Sequence, residues 1–195
     1  MHQIGYIHRD MKPHNMCFGL SETSKHRLVI VDYGLARRFR LPSGKLRPLR
    51  SDCGFRGTTI YASLRAHEGK ELGKSYLLEV NGPSDDLTSL FYTAIELVLG
   101  CVPWKKAKRS EDVKAAKEAI QEDDFQTISK KVGEALREFG RAVHSMEATD
   151  EPNYTALQNI MQDFTSHRRL SDPYDWDNDF EEVLREDDIN KTIRK

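Results

Sequence analysis

The chain of 195 residues contains only three cysteines, Cys17, Cys53 and Cys101, with no C-x-x-C between them. That excludes a disulfide framework and argues against a zinc site. Charge of one sign is not in excess either. Thirty Lys and Arg against thirty-one Asp and Glu leave a net charge of −1. This balance excludes a strongly basic nucleic-acid binder and an acidic solvating chain. Long apolar runs are missing. The most apolar stretch, Leu90 to Trp104, carries Glu96, Gly100 and Pro103, is too short to cross a bilayer and reads as a buried helix. No basic segment followed by an apolar one opens the chain, so no secretory signal is read. The expected location is cytoplasmic or nuclear, with reduced thiols and no membrane partner. There is no internal repeat, no low-complexity segment and no G-x-G-x-x-G.

What is present suits a globular domain: 38% apolar and 31% charged residues, enough for a sizeable core. Met16-Cys17-Phe18 and the β-branched Leu28-Val29-Ile30-Val31 flank a polar turn, which predicts a β-hairpin whose second strand is buried. Arg37 to Arg56 has little periodicity and holds Arg37, Arg38, Arg40, Lys45, Arg47, Arg50 and Arg56; it reads as a long basic surface loop. The remainder predicts helices. Ser84-Asp85-Asp86 is placed as the N-terminal cap of a helix over Leu87–Leu99, stopped by Gly100 and Pro103. Ser110 caps a helix through Gln121. Ile128, Val132, Leu136, Phe139 and Val143 recur at helical spacing as one amphipathic face. Tyr154, Leu157, Ile160, Met161 and Phe164 do the same. Beyond Asp172 the chain is acidic, with Tyr174 and Trp176 as docking anchors and fraying expected from Asp177.

One segment carries chemistry: Tyr6-Ile-His-Arg-Asp-Met-Lys-Pro-His-Asn15, followed after the hairpin by Asp32-Tyr33-Gly34. Phosphoryl transfer needs a carboxylate for the incoming hydroxyl, a cation near the phosphoryl group, and oxygen ligands for Mg²⁺ on a rigid support. Asp10 supplies the carboxylate, Lys12 the cation, and Asn15 and Asp32 the oxygens. A hairpin returns Asn15 and Asp32 to the same end of the ribbon. The pattern H-R-D-x-K-x-x-N followed by D-[FY]-G is that of a protein-kinase catalytic loop and metal motif.

With Gly54-Phe-Arg-Gly-Thr-Thr-Ile-Tyr-Ala-Ser63, Ala66-His67, Asp85-Asp-Leu-Thr-Ser-Leu-Phe-Tyr92, Gly100, Pro103-Trp104 and Asp172-Pro-Tyr-Asp-Trp176, the chain resembles the casein kinase I superfamily. Within it, the tau-tubulin kinase branch looks most similar. The resemblance implies an α+β, mostly helical fold: a protein-kinase-like C-terminal lobe with a small β-hairpin, the small N-terminal lobe absent. It assigns residues 1–177 to that large lobe and leaves 178–195 as an acidic, then basic, flexible tail. It further implies that Thr58 steadies the catalytic Asp10, that Asp86 holds the catalytic loop backbone, and that His8 and Tyr33 belong to an aligning stack. Arg9 and Gly34 are taken as structural support. Cys17 lies under the adenine of ATP. Arg56, with Arg9, forms an anion or substrate site, and the basic run suits acidic or phosphorylated Ser/Thr protein substrates rather than nucleic acid.

The departures are specific. No Gly-rich phosphate loop and no Val-Ala-Ile-Lys equivalent accompany the catalytic loop, so ATP and Mg²⁺ binding is expected to be impaired. Ser75 to Gly82 reads as an insertion of about eight residues ahead of the central helix, of a length surface loops tolerate. Two functions are therefore expected as rivals: a Ser/Thr protein kinase catalytic lobe, and a non-catalytic kinase-derived interaction module.

Overall fold

The computed structural model describes residues 1–21, 24–47, 55–71, 82–164 and Tyr174. Residues 75–81 of the expected insertion (Ser75 to Gly82), Cys53, Arg50, Trp176 and the tail at 178–195 lie outside the described residues. Two short antiparallel ribbons precede a helical body. β1 (Tyr6–Ile7) pairs with β4 (Arg37–Arg38), and β2 (Met16–Phe18) pairs with β3 (Leu28–Ile30). The helices are α1 (Leu64–Glu71), α2 (Pro83–Leu99), α3 (Ser110–Glu122), α4 (Gln126–Val132), α5 (Glu134–His144) and α6 (Tyr154–Phe164). This is the α+β, mostly helical organisation, with a small hairpin, that the resemblance implies for a kinase-like C-terminal lobe.

The core forms around α2, whose Phe91, Tyr92 and Ile95 are fully buried. Phe91 meets Phe125 edge-on at 5.4 Å, and Tyr92 meets Trp104 the same way at 5.0 Å. Side chains of this size contribute about 1.5–3 kcal/mol each on burial. Val113, Ile128, Leu136, Phe139, Val143 and Leu157 close the cluster from α3 to α6. Gly140 on α5 lets the ring of Phe91 approach: a Cβ there would sit 2.6 Å from Phe91 Cζ.

Several expectations need correction. The amphipathic run from Ile128 to Val143 is two helices, because Gly133 at φ 91° breaks it. Its apolar residues still share one core, since both helices turn the same face to α2. The central helix starts at Pro83 with Gly82 as its N-cap, not after Asp86. Proline is preorganised for the first helical position, so Ser84, Asp85 and Asp86 form the first turn. Ser110 is likewise inside α3 rather than its cap. The helix ends at Leu99, and Leu97 and Val98 near its end are exposed. β3 is not buried: Leu28 and Val29 are 50% and 42% exposed, because no second layer covers this ribbon among the described residues. The basic run does not begin as an irregular loop. Arg37–Arg38 find a strand partner in Tyr6–Ile7, Arg38 lies over the Tyr6 ring at 5.2 Å, and Arg40 bridges to Leu46.

Tyr174 docks as the sequence suggests. Its ring packs on Phe18 and His26, and its hydroxyl donates to His26 O at 2.8 Å.

Candidate active site

The residues expected to form a catalytic loop follow β1, the strand paired to β4, and end in a tight turn at Pro13–Asn15 that leads into β2. Arg9 sits at φ 70°, a conformation unfavourable for a side chain with a Cβ. It persists because the loop is held from several directions. Asp86, in the first turn of α2, accepts from His8 N at 2.6 Å and Arg9 N at 2.8 Å. Arg9 Nε donates to Leu35 O at 2.7 Å. His8 Nε2 donates to Val31 O at 3.1 Å, while its Nδ1 accepts from Asp10 N at 3.3 Å, so these partners fit the neutral Nε2–H tautomer. The His8 ring meets Tyr33 edge-on at 5.4 Å.

Within this frame four of the expected side chains converge. Lys12 Nζ donates to Asp10 Oδ2 at 2.6 Å and to Thr58 Oγ1 at 3.0 Å. Thr58 Oγ1 donates to Asp10 Oδ1 at 2.7 Å. Asn15 Nδ2 donates to Asp10 O at 2.9 Å and Oδ2 at 3.2 Å. Burial by itself would push the Asp10 carboxyl up. Hydrogen bonds from Lys12 and Thr58, the Lys12 charge and the Asn15 hydrogen bond outweigh it and hold the group below the ordinary carboxylate range. A carboxylate held this acidic orients a hydroxyl well and takes its proton only when the oxygen is already bonding elsewhere.

Asp32 is placed differently. It is exposed, lies at φ 62°, and its Oδ1 accepts from Gly34 N at 3.2 Å. The preceding residue ties it to the site, since Val31 N donates to Asn15 O at 2.9 Å. Among the described residues the Asp32 carboxylate makes no hydrogen bond with Asp10 or Asn15. Cys17 is exposed on β2, opposite Val29. Arg56 is exposed at the rim of a cleft that also takes in Arg9, Asp10, Thr58, Ser63 and Ser89.

The donor set fits a hard cation. Asn15 uses its amide nitrogen on Asp10, leaving the amide oxygen, and Asp32 brings a carboxylate on the exposed side of the same ribbon end. One amide and one carboxylate oxygen suit Mg²⁺ that completes its shell with phosphate and water. Among the described residues no group of three His, Cys, Asp or Glu forms a metal cluster of its own. No helix among them is long and apolar enough to cross a membrane.

Two supports escaped the sequence. His2 Nε2 donates to Asp86 Oδ2 at 2.8 Å, and Tyr154 Oη lies 2.6 Å from His2 Nδ1, so α6 braces Asp86 through the chain's second residue. Asp85 accepts from Gly82 N at 2.8 Å and from Arg65 Nε at 3.2 Å, while Arg65 also binds Ser84 and Met146 O. Nothing in local spacing signals a contact between positions 2 and 154.

No protein-family model matches the chain. Individual proteins do. A protein of Dictyostelium discoideum named as a probable serine/threonine-protein kinase is 37% identical over 179 residues, which are 91% of this chain and 34% of that protein. A probable casein kinase I homolog of Encephalitozoon cuniculi is 31% identical over 185 residues, covering 90% of this chain and 56% of the relative. A serine/threonine-protein kinase of Caenorhabditis elegans is 31% identical over 188 residues, covering 91% and 46%. The chain thus spans a third to just over half of the length of these relatives. Over nearly its whole length it is similar to proteins named as Ser/Thr kinases and casein kinase I homologues.

Proposed function

We propose that the chain is the large lobe of a Ser/Thr protein kinase of the casein kinase I type, closest to the tau-tubulin kinase branch, acting on protein hydroxyls. The observation that supports this most directly is the convergence of Lys12, Asn15 and Thr58 on the two oxygens of Asp10. In this reading Asp10 orients the substrate hydroxyl and receives its proton, and Lys12 offsets charge developing on the transferred phosphoryl group. Thr58 keeps Asp10 in its rotamer. Asn15 and Asp32 would hold Mg²⁺, which supplies charge neutralisation to the ATP phosphates when bound. Cys17 and the exposed face of β2 would lie against adenine. Arg9 and Arg56, near Asp10, suit an acidic or phosphorylated segment of the protein substrate.

A second reading, a non-catalytic interaction module, is favoured by the exposed apolar residues Phe18, Leu28 and Val29 on the hairpin and by the engagement of Asp32 with its own turn. The two readings separate in one experiment. The chain is mixed with ATP, Mg²⁺ and an acidic Ser-containing peptide, and phosphate transfer is followed beside an Asp10→Asn control. Transfer that disappears in the control supports the kinase. Transfer that survives Asp10→Asn rejects the assignment of Asp10. No transfer, with no thermal shift at millimolar Mg-ATP, favours the module.

A further inference from the structure

Lys117, on α3, is fully buried, and among the described residues no carboxylate pairs with it. Its Nζ lies 3.0 Å from Thr59 O, 2.7 Å from Ala62 O and 3.2 Å from His67 Nε2. The nitrogen also stands 4.6 Å from the centre of the Tyr92 ring and 5.3 Å from that of Trp104. Trp104 Nε1 in turn donates to Ile60 O at 2.8 Å. Three carbonyls of one short segment, at Thr59, Ile60 and Ala62, are therefore drawn onto the helical body by two side chains. That segment is a turn begun by Thr58, whose carbonyl accepts from Tyr61 N at 3.0 Å and Ala62 N at 3.1 Å. The hydroxyl of Thr58, at the other end of the turn, bridges Asp10 and Lys12.

We infer that Lys117 is a positioning residue for Asp10. By fixing the carbonyls of Thr59 and Ala62, it sets the turn that delivers the Thr58 hydroxyl to the carboxylate. Its effect on rate rests on the phosphotransfer reading above; its effect on the turn does not.

The hydrogen-bond inventory suits this role in the neutral state. Burial pushes the Lys117 amine down to about 6. A neutral amine has two N–H groups for the two carbonyls and one lone pair for the Nε2–H of His67. His67 Nδ1, 3.3 Å from Ser110 Oγ, then accepts from that hydroxyl. The titratable groups facing the amine are His67, Tyr92 and, more distantly, His144; His67 would repel the amine if both were protonated.

The test compares Lys117→Met, which keeps the volume and removes the donors, with Lys117→Gln, which keeps two N–H groups on a side chain one atom shorter. Amide hydrogen exchange, the crystal structure of each variant and, where the parent chain transfers phosphate, kcat and KM are measured. For Lys117→Met the expected results are at least ~10-fold faster exchange at Tyr61 and Ala62 with Ile95 and Val143 little changed. The Thr58–Asp10 hydrogen bond lengthens beyond bonding range, and kcat falls at least ~10-fold with KM for ATP within about twofold. Lys117→Gln recovers part of each loss, and it carries the test by itself should the methionine variant not fold. An intact Thr58–Asp10 bond in the variants, or faster exchange spread evenly over the core, overturns the inference. A parent chain that transfers no phosphate and shows no thermal shift with millimolar Mg-ATP speaks against the kinase reading instead, and the exchange and distance measurements still decide the role of Lys117.

Discussion

Asp86→Asn is the most searching perturbation of the site. The Asp86 carboxylate is 5% exposed and receives three hydrogen bonds, two on Oδ2 from His8 N and His2 Nε2 and one on Oδ1 from Arg9 N. Asparagine has the same shape but one oxygen. Turned to keep its oxygen at the Oδ2 position, it points an NH₂ at Arg9 N–H. Turned the other way, it points the NH₂ at His8 N–H instead. Even the better orientation forfeits one bond to a charged acceptor, about 1.5–3 kcal/mol, and strands a buried donor at about 1–3 kcal/mol more. The two remaining bonds weaken as the acceptor loses its charge. The expected loss is about 3–5 kcal/mol, a large share of a total near 5–15 kcal/mol. In urea denaturation this appears as a lower midpoint at unchanged slope, and in heating as a fall of about 2–4 °C per kcal/mol for a chain of this length. A loss below about 1 kcal/mol would refute the claim that Asp86 holds the loop.

Thr58→Ala should cost about 1 kcal/mol of stability and, where the chain transfers phosphate as proposed, lower that transfer about 10–100-fold, with Thr58→Ser close to the parent; equal loss in both variants would speak against the hydroxyl. Gly140→Ala drives a methyl group into the Phe91 ring and should destabilise by about 1–3 kcal/mol in the same denaturation assay, without changing hydrogen bonds at Asp10. His144, wedged among Phe91, Tyr92 and Phe125, is pushed down from 6.5 to about 4, chiefly by burial. The unfolded chain therefore binds the proton more readily. This contribution to stability is complete above about pH 6.5 and is lost as pH falls towards 4, by about 3 kcal/mol in all. His144→Gln should flatten that part of the pH–stability curve, and NMR titration of the imidazole should give the low value directly.

The parts of the structure that the sequence made legible are those written in local spacing. The hairpin followed from two β-branched or apolar runs around a polar turn, and α6 from its periodic apolar face. The grouping of Asp10, Lys12 and Asn15 followed from their separation in one loop. Whatever depends on a distant partner was hidden. Arg37–Arg38 looked irregular because their strand partner is Tyr6–Ile7, near the start of the chain. The division at Gly133 was masked because both helices continue one apolar rhythm. Leu28 and Val29 looked buried because apolar composition says nothing of whether a second layer exists. Lys117 carries one local signal: it follows Val113 by one helical turn and so lies on the buried face of α3, where a lysine needs a reason.

Helix α2 serves two ends at once. Its first turn carries the Asp86 carboxylate that grips the loop, and one and a half turns later the same helix plants Phe91 and Tyr92 at the centre of the hydrophobic cluster. A single rigid rod thereby makes loop order and core order one cooperative event. Indole fluorescence from Trp104 and backbone protection at His8 and Arg9 should accordingly vanish at the same denaturant concentration, and peptides cut from the first 47 residues should have no ordered loop of their own.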